Sequence, residues 1–369
     1  MKIMAAIGRE FGGAFQIEEV ELAAPLPDEV LVKVVASGIC HTDLSVRDGH
    51  IPYPPVPNVL GHEGAGIVVE CGSKVSGFAA GDHVLMSYAS CGKCANCMAG
   101  MTAYCQAFGA VNFGGRRQDG SCCHHQHDKP INGAFFGQSS FATHAVVNAR
   151  NLVKMPSDLP LELLAPLGCG IQTGAGTVLN VLRPRPNNSL VVFGLGAVGL
   201  SAVMAARTSG CGTILAVDLK EERLSLAREL GATHALNGAD QGLIKQIHAI
   251  THGGADFVVE AVGSPAVVNN CALALRARGT LALLGASKLG STYGFDAGNL
   301  SRGLVIRAVL EGDSVPRIFI PELIELYRAG RFPFDRLIKI YEFDQINQAS
   351  ADMEAGITVK PVLRMPSAA

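Results

Sequence analysis

Leu190-Val191-Val192-Phe193-Gly194-Leu195-Gly196-Ala197-Val198-Gly199 lies near the middle of the chain. The four leading residues are apolar and mostly β-branched, which predicts a short buried strand. The apolar run from residue 198 to 209 predicts a helix. Between them stands G-x-G-x-x-G in the strand–turn–helix setting that dinucleotide binding needs. The first glycine permits the tight turn, the second lets backbone approach a pyrophosphate, and the third allows close helix–strand packing. The helix N-terminus then offers free N–H groups to phosphate. Asp218 ends the next predicted strand, 19 residues beyond Gly199. A carboxylate there accepts both adenosine ribose hydroxyls and repels a 2′-phosphate, so NAD is expected over NADP. Arg223 reads equally as a ribose contact or as a solvated helix charge.

Working outward, residues 213–217, 257–260 and 280–284 read as further strands, and 221–230 as a helix closed by Gly231. Alternating short strands and helices imply an α/β, doubly wound parallel sheet. The first half differs. Proline and glycine punctuate it heavily, residues 29–36, 66–71 and 81–85 read as short strands, and 51–57 as a loop. This suggests a barrel-like, mostly β unit. After about residue 305 the pattern is mixed again, and the C-terminal segment is expected to rejoin the first unit. The expected domains are therefore 1–170 with 306–369, and 171–305.

A length of 369 residues suits roughly two domains. With 48% hydrophobic and 17% charged residues the chain fits a well-buried globular protein, not a disordered one. A formal charge of -2 and the absence of a Lys/Arg block leave no footprint for nucleic acid or an anionic membrane. The apolar run 190–206 is broken by Gly194, Gly196 and Gly199, so no membrane span is expected. There are 11 cysteines, and Met1-Lys2-Ile3-Met4 does not open a signal peptide; reduced thiols in the cytoplasm are expected.

Cys91, Cys94, Cys97 and Cys105 follow C-x2-C-x2-C-x7-C. Four thiolates at this spacing suit a closed tetrahedral structural zinc that props up a lobe and offers substrate no open position. Cys40 (in Gly38-Ile39-Cys40-His41-Thr42-Asp43), His62 (in Gly61-His62-Glu63-Gly64) and Cys169 (in Gly168-Cys169-Gly170) are a second candidate set. Two thiolates and an imidazole leave a fourth position open, as catalytic zinc requires. Spacing alone does not join them, and each alone reads as a buried cysteine or a satisfied histidine.

In these motifs, in this order, together with residues 168–176 and the closing Val359-Lys360-Pro361-Val362-Leu363, the chain resembles the zinc-containing medium-chain alcohol dehydrogenases. The resemblance implies a GroES-like catalytic domain, a Rossmann coenzyme domain and an active site between them. It implies Cys40, His62 and Cys169 on a catalytic zinc, with Glu63 behind the metal and able to bind it transiently. Asp43 would orient His62. NAD and two zinc ions per chain are expected, one catalytic and one structural. The zinc would lower the pKa of an alcohol, hydride would pass to C4 of NAD, and the Thr42 hydroxyl would relay the proton. Besides Gly194, Leu195, Gly196, Ala197, Val198, Gly199, Asp218 and Arg223, the resemblance implies His41, Thr173 and Lys360 on the coenzyme, with His41 and Lys360 at the pyrophosphate. One departure is Ser45, where many relatives carry a histidine that passes the proton to solvent. Serine is no base near neutral pH, so exit through the coenzyme ribose and water is expected.

Within the family the chain resembles the bacterial aryl-alcohol (benzyl alcohol) and geraniol dehydrogenases. The shared stretches are Asn112-Phe113-Gly114-Gly115, Phe135-Phe136-Gly137-Gln138-Ser139-Ser140-Phe141, residues 166–174 and Glu311-Gly312-Asp313. They imply primary alcohols beside a ring or a C=C bond, including terpene alcohols of the geraniol and perillyl type. Tyr88, Phe108 and Phe113 are candidates to line an apolar pocket, and each reads equally as core. Ser87 is expected near the zinc, leaving space for a ring. Thiol-dependent formaldehyde oxidation is an alternative, but it needs a cationic pocket that is not evident. A non-catalytic NAD(H)-binding redox sensor is another, opposed by the intact Cys40, Thr42, His62 and Cys169. A homodimer or homotetramer is expected, through the coenzyme-sheet edge near residues 281–287. His124, His125 and His127 read as part of a solvated loop over 119–130, not a third metal site.

Overall fold

A computed structural model describes residues 1–366. The chain forms two compact units: Met1–Cys169 with Val315–Pro321 and Asp335–Ala369, and Gly170–Ser314 with Glu322–Phe334. Residues from 306 on, expected to rejoin the first unit, are thus divided between the two, with Glu322–Phe334 in the second.

The first unit is built on two sheets. One runs Asn58–Val59, Lys2–Gly8, Gln16–Leu22, His124–Gln126, Lys129–Ile131, all antiparallel. The other centres on Glu29–Gly38, which pairs with Glu63–Cys71, His144–Asn148 and the C-terminal Lys360–Arg364. Alternation in residues 29–36 sends Val30, Val32 and Val34 inward, where they pack with Leu44, Val68, Val84, Phe135 and Phe141. Each such fully buried side chain contributes about 1.5–3 kcal/mol.

The histidine tract is not the expected loop. His124–Gln126 and Lys129–Ile131 form a hairpin. Its two-residue turn, His127 and Asp128, has φ of 49° and 61°, the left-handed pair that matches the twist of the flanking strands. Neither residue is glycine, so the usual hairpin signal is missing from the sequence.

The second unit is a six-stranded, wholly parallel sheet in the order His234–Asn237, Thr213–Asp218, Ser189–Phe193, Ala255–Glu260, Leu275–Leu283, Val305–Ala308. This is the doubly wound order that reverses beside its first strand, where such sheets bind ligands at the carboxyl ends of the strands. The helix Ala197–Thr208 is buried along nearly its whole length, as its small apolar residues require. The edge differs from expectation: Leu281 lies opposite Ile306, so residues 281–283 are interior and Val305–Ala308 is the edge strand. Among the described residues no helix is long and apolar enough to cross a membrane.

Candidate active site

Strand register assembles the first cluster. Gly38 lies opposite Glu63 across the central pair of strands, so Cys40, just past one strand, and His62, just before the other, share a corner. Gly38 is needed there, because a Cβ at this position would stand 2.1 Å from Glu63 Oε2. Cys169 joins them beside Gly168, whose carbonyl accepts the Ser87 hydroxyl at 2.7 Å. The ligand atoms of Cys40, His62, Glu63 and Cys169 all lie within 4.8 Å of one another.

Asp43 organises this corner. Its Oδ1 accepts from His62 Nδ1 at 2.9 Å and from the Gly61 N–H at 3.1 Å, and its Oδ2 accepts from the Cys40 N–H at 2.9 Å. A carboxylate on Nδ1 leaves the proton there and aims the lone pair of Nε2 at the cysteines. Nε2 is buried and has no hydrogen-bond partner. An orphaned buried acceptor costs about 1–3 kcal/mol, and a cation held with two thiolates removes that cost. Hydrogen bonding from Cys169 holds the Cys40 thiol well below its usual range despite burial, with His62 and Lys360 assisting. The donor set therefore fits zinc. Thr42, half-buried, has its hydroxyl 3.8 Å from Cys40 Sγ.

Lys360, expected at the pyrophosphate, is held against Glu63. Its ammonium lies 2.9 and 2.8 Å from the two oxygens of Glu63 and donates to the Ile39 carbonyl at 3.1 Å. The residue is 2% exposed. Burial pulls its pKa down, but Glu63, Cys40 and Cys169 raise it further, above the ordinary lysine value. No motif in the sequence announced this pair.

Aromatic rings enclose His62. Phe136 stacks on its imidazole at 4.4 Å and 26°, and Phe135 meets it edge-on at 5.5 Å. Phe113 packs on both at 5.6 and 5.1 Å, and Phe108 reaches Phe136 at 6.3 Å. Phe108 and Phe113 are half-buried. Tyr88 is core, with its hydroxyl on Thr102 Oγ1 at 2.7 Å. Ser87 is fully buried and supports Gly168.

The second cluster gathers Cys91, Cys94, Cys97 and Cys105, again with sulfurs within 4.8 Å. Backbone N–H groups point at sulfur: Cys91 N–H at Cys105 Sγ, 3.2 Å, and Gln106 N–H at Cys94 Sγ, 3.5 Å. The Gln106 and Cys97 amides pull Cys94 down to about 6, while burial pushes Cys97 up to about 12. Four converging sulfurs with no carboxylate or imidazole suit a closed structural zinc.

In the second unit the three fingerprint glycines differ in backbone and surroundings. Gly194 has φ of +88°, a Cβ on Gly199 would stand 1.8 Å from the Gly194 carbonyl, and a Cβ on Gly196 would meet nothing within 4 Å. Gly196 is thus bare for approach from outside, not for internal packing. Leu195 is buried, Ala197 and Val198 are half-buried and open the helix. Asp218 Oδ2 accepts the Leu195 N–H at 2.7 Å, and Oδ1 accepts from Leu219 and Lys220 at 2.8 and 3.0 Å. Arg223 has a buried Nε without a partner. Thr173 Oγ1 lies 3.5 Å from Glu311 Oε2. His41 is exposed on the helix His41–Arg47 of the first unit.

Known proteins resemble this chain in sequence and fold. Residues 26–157 match the model of the alcohol dehydrogenase GroES-like domain, and residues 197–327 match that of the zinc-binding dehydrogenases. The chain is 44% identical to a geraniol dehydrogenase of Castellaniella defragrans, over 97% of this chain and 96% of that protein. Its fold matches the crystal structure of a benzyl alcohol dehydrogenase from Acinetobacter calcoaceticus with a TM-score of 0.96 and 47% identity, covering 99% and 100% of the two chains. An alcohol dehydrogenase zinc-binding domain protein from Burkholderia ambifaria matches with a TM-score of 0.97 and 52% identity, over 100% of both.

Proposed function

The chain belongs to the zinc-type alcohol dehydrogenase family, and from that premise we propose that it transfers hydride from an aryl or allylic primary alcohol, such as benzyl alcohol, to NAD, reversibly giving the aldehyde. The observation that carries the reading is the orphaned, carboxylate-oriented Nε2 of His62 beside two cysteine sulfurs. Cys40, His62 and Cys169 would hold a zinc, whose Lewis acidity would lower the pKa of an alcohol. Asp43 keeps His62 in the tautomer that can ligate. The Thr42 hydroxyl, beside Cys40, relays the proton that the alcohol loses, accepting it as its own O–H proton passes on towards the coenzyme ribose and water. Asp218 and the bare backbone at Gly196 hold the ribose and pyrophosphate of NAD. Cys91, Cys94, Cys97 and Cys105 would hold a second zinc that props up their lobe.

The aryl preference is supported by the rings at the site. Phe108 and Phe113, half-buried rings packed on the Phe135–Phe136 pair beside His62, are the ones placed to meet a ring. A terpene alcohol such as geraniol is the second reading, favoured by the Castellaniella relative. The cysteines are free, as suits a reducing cytoplasm. A homo-oligomer would form on the edge strand Val305–Ala308, where Leu300, Val305 and Leu310 are exposed apolar residues.

The test is NADH formation with benzyl alcohol, geraniol and ethanol side by side, NADP replacing NAD as a control, and formaldehyde with and without a thiol carrier. Faster turnover of the first two with NAD supports the proposal. Ethanol as best substrate would overturn the aryl reading. Turnover only of formaldehyde with thiol would replace the substrate class. No turnover by zinc-replete protein would favour an NAD(H)-binding role.

A further inference from the structure

A histidine ring turns freely unless its surroundings stop it, because χ2 has a broad, shallow profile. A metal ligand needs one orientation. Asp43 fixes one edge of the His62 ring, but a single hydrogen bond leaves the plane free to tilt about that contact. The remaining restraint comes from the segment Ala134–Phe141.

Four of the six residues from Ala134 to Ser139 have left-handed backbone: Ala134 at φ 49°, Phe136 at 51°, Gly137 at 66° and Ser139 at 54°. Three of these are not glycine, and a bulky residue such as phenylalanine is rare there. Such conformations persist only where surrounding contacts over-determine them, and they mark functional constraint. Several of the contacts go to one stretch, residues 59–64. Ser139 Oγ donates to the Val59 carbonyl at 2.7 Å, the Phe141 N–H to Leu60 at 3.0 Å, and the Ser140 N–H to Gly61 at 2.9 Å. Gln138, 1% exposed, completes the series. Its Nε2 donates to the His62 carbonyl at 2.9 Å, and its Oε1 accepts the Gly64 N–H at 3.0 Å. One side-chain amide thus brackets His62-Glu63-Gly64, while the left-handed turn at Phe136 lays its ring flat on the imidazole.

We infer that Gln138 and Phe136 are positioning residues for the metal: Gln138 pins the backbone that carries His62, and Phe136 fixes the plane of its ring. Asp43, Gln138 and Phe136 hold edge, backbone and face respectively. The inference rests on the zinc site read above. It concerns the retention of metal and does not depend on the alcohol.

The test compares metal release from zinc-loaded protein in a colorimetric chelator for wild type, Gln138→Met, Phe136→Leu and Phe136→Tyr. The Cys91–Cys105 cluster serves as an internal reference phase. Gln138→Met keeps volume and removes all three side-chain hydrogen bonds, the two that bracket His62 and Gly64 and a longer one to the Ser87 carbonyl at 3.4 Å; Phe136→Leu removes the stack. Outer-shell partners of zinc ligands typically change affinity by about 10–100-fold, so the site phase should accelerate by about that factor in both variants while the reference phase holds. Phe136→Tyr should restore the wild-type rate. Cobalt-loaded Gln138→Met and Phe136→Leu should show shifted visible bands. Unchanged release and unchanged cobalt spectra would overturn the inference, as would equal acceleration of both phases with loss of the circular-dichroism signal, since that is a structural defect. If Gln138→Met does not fold, Phe136→Leu carries the test. Absence of the site phase in wild type would overturn the metal reading itself, which keeps the two failures apart.

Discussion

The ammonium of Lys360 lies 2.8 Å from Glu63 Oε2, with both side chains sealed from solvent. Breaking such a pair from one side leaves a buried charge without its partner, which costs about 3–5 kcal/mol. Lys360→Met should therefore lower the urea midpoint strongly, and adding Glu63→Leu should recover most of the loss. A single variant within about 1 kcal/mol of wild type, the range of a surface pair, would show that the contact does not stabilise the unit.

Thr42 is expected to move the proton and not to hold the fold. Positioned acid–base groups contribute about 100-fold or more to rate. Thr42→Val should lower kcat for benzyl alcohol by about that factor with NAD affinity unchanged, and Thr42→Ser should keep most of the activity. Equal kcat in Thr42→Val would remove Thr42 from the mechanism.

Asp218 already accepts three backbone N–H groups, and the open face at Gly196 lies along the same turn. Hydrogen bonds to a charged group contribute about 1.5–3 kcal/mol, so Asp218→Asn should raise the Kd of NAD by about 10–100-fold. Its discrimination against NADP should fall as well, because the repelling charge is gone. Fluorescence titration of both coenzymes measures this. An unchanged NAD/NADP ratio would place coenzyme selection elsewhere.

His124 predicts an acid-sensitive fold. It is 1% exposed, and neither ring nitrogen has a hydrogen-bond partner. Burial first, then Arg117 and His125, bring its pKa down to about 4. The unfolded imidazole binds a proton near pH 6.5 and the folded one does not. Stability attributable to this residue is thus complete above pH 6.5 and falls as pH drops towards 4, by up to about 3 kcal/mol. His124→Leu should flatten that part of the urea-midpoint profile between pH 7 and pH 5. A variant with the same slope as wild type would assign the acid sensitivity to other groups.

Local patterns were legible wherever a single element carries the whole signal. The strand–glycine–helix passage at 190–199 needs only its own residues, and so does the four-cysteine knuckle, whose ligands lie within 15 positions. Cys40, His62 and Cys169 were connected only by resemblance, because 129 positions separate the first from the last and no local rule reaches that far. The hairpin at 124–131 was hidden because its turn, His127-Asp128, lacks the glycine of the usual two-residue hairpin pairs. The sheet edge was misplaced by one strand because residues 305–308 are too short to announce themselves.

The sequence by itself determined the local patterns: a strand–glycine–helix turn of the kind that binds phosphate, a carboxylate 19 positions beyond its last glycine, and a four-cysteine knuckle. These follow from residue type and short spacing, which a chain carries whether folded or not. Only the tertiary structure decided how that chemistry is held. Strand register put Glu63 opposite Gly38 and brought Lys360 onto it from the other end of the chain. The left-handed loop laid Phe136 on His62, and Gln138 bracketed the backbone on either side of Glu63. Such contacts arise between residues tens to hundreds of positions apart, and their energy depends on burial and orientation, which exist only once the sheets have formed.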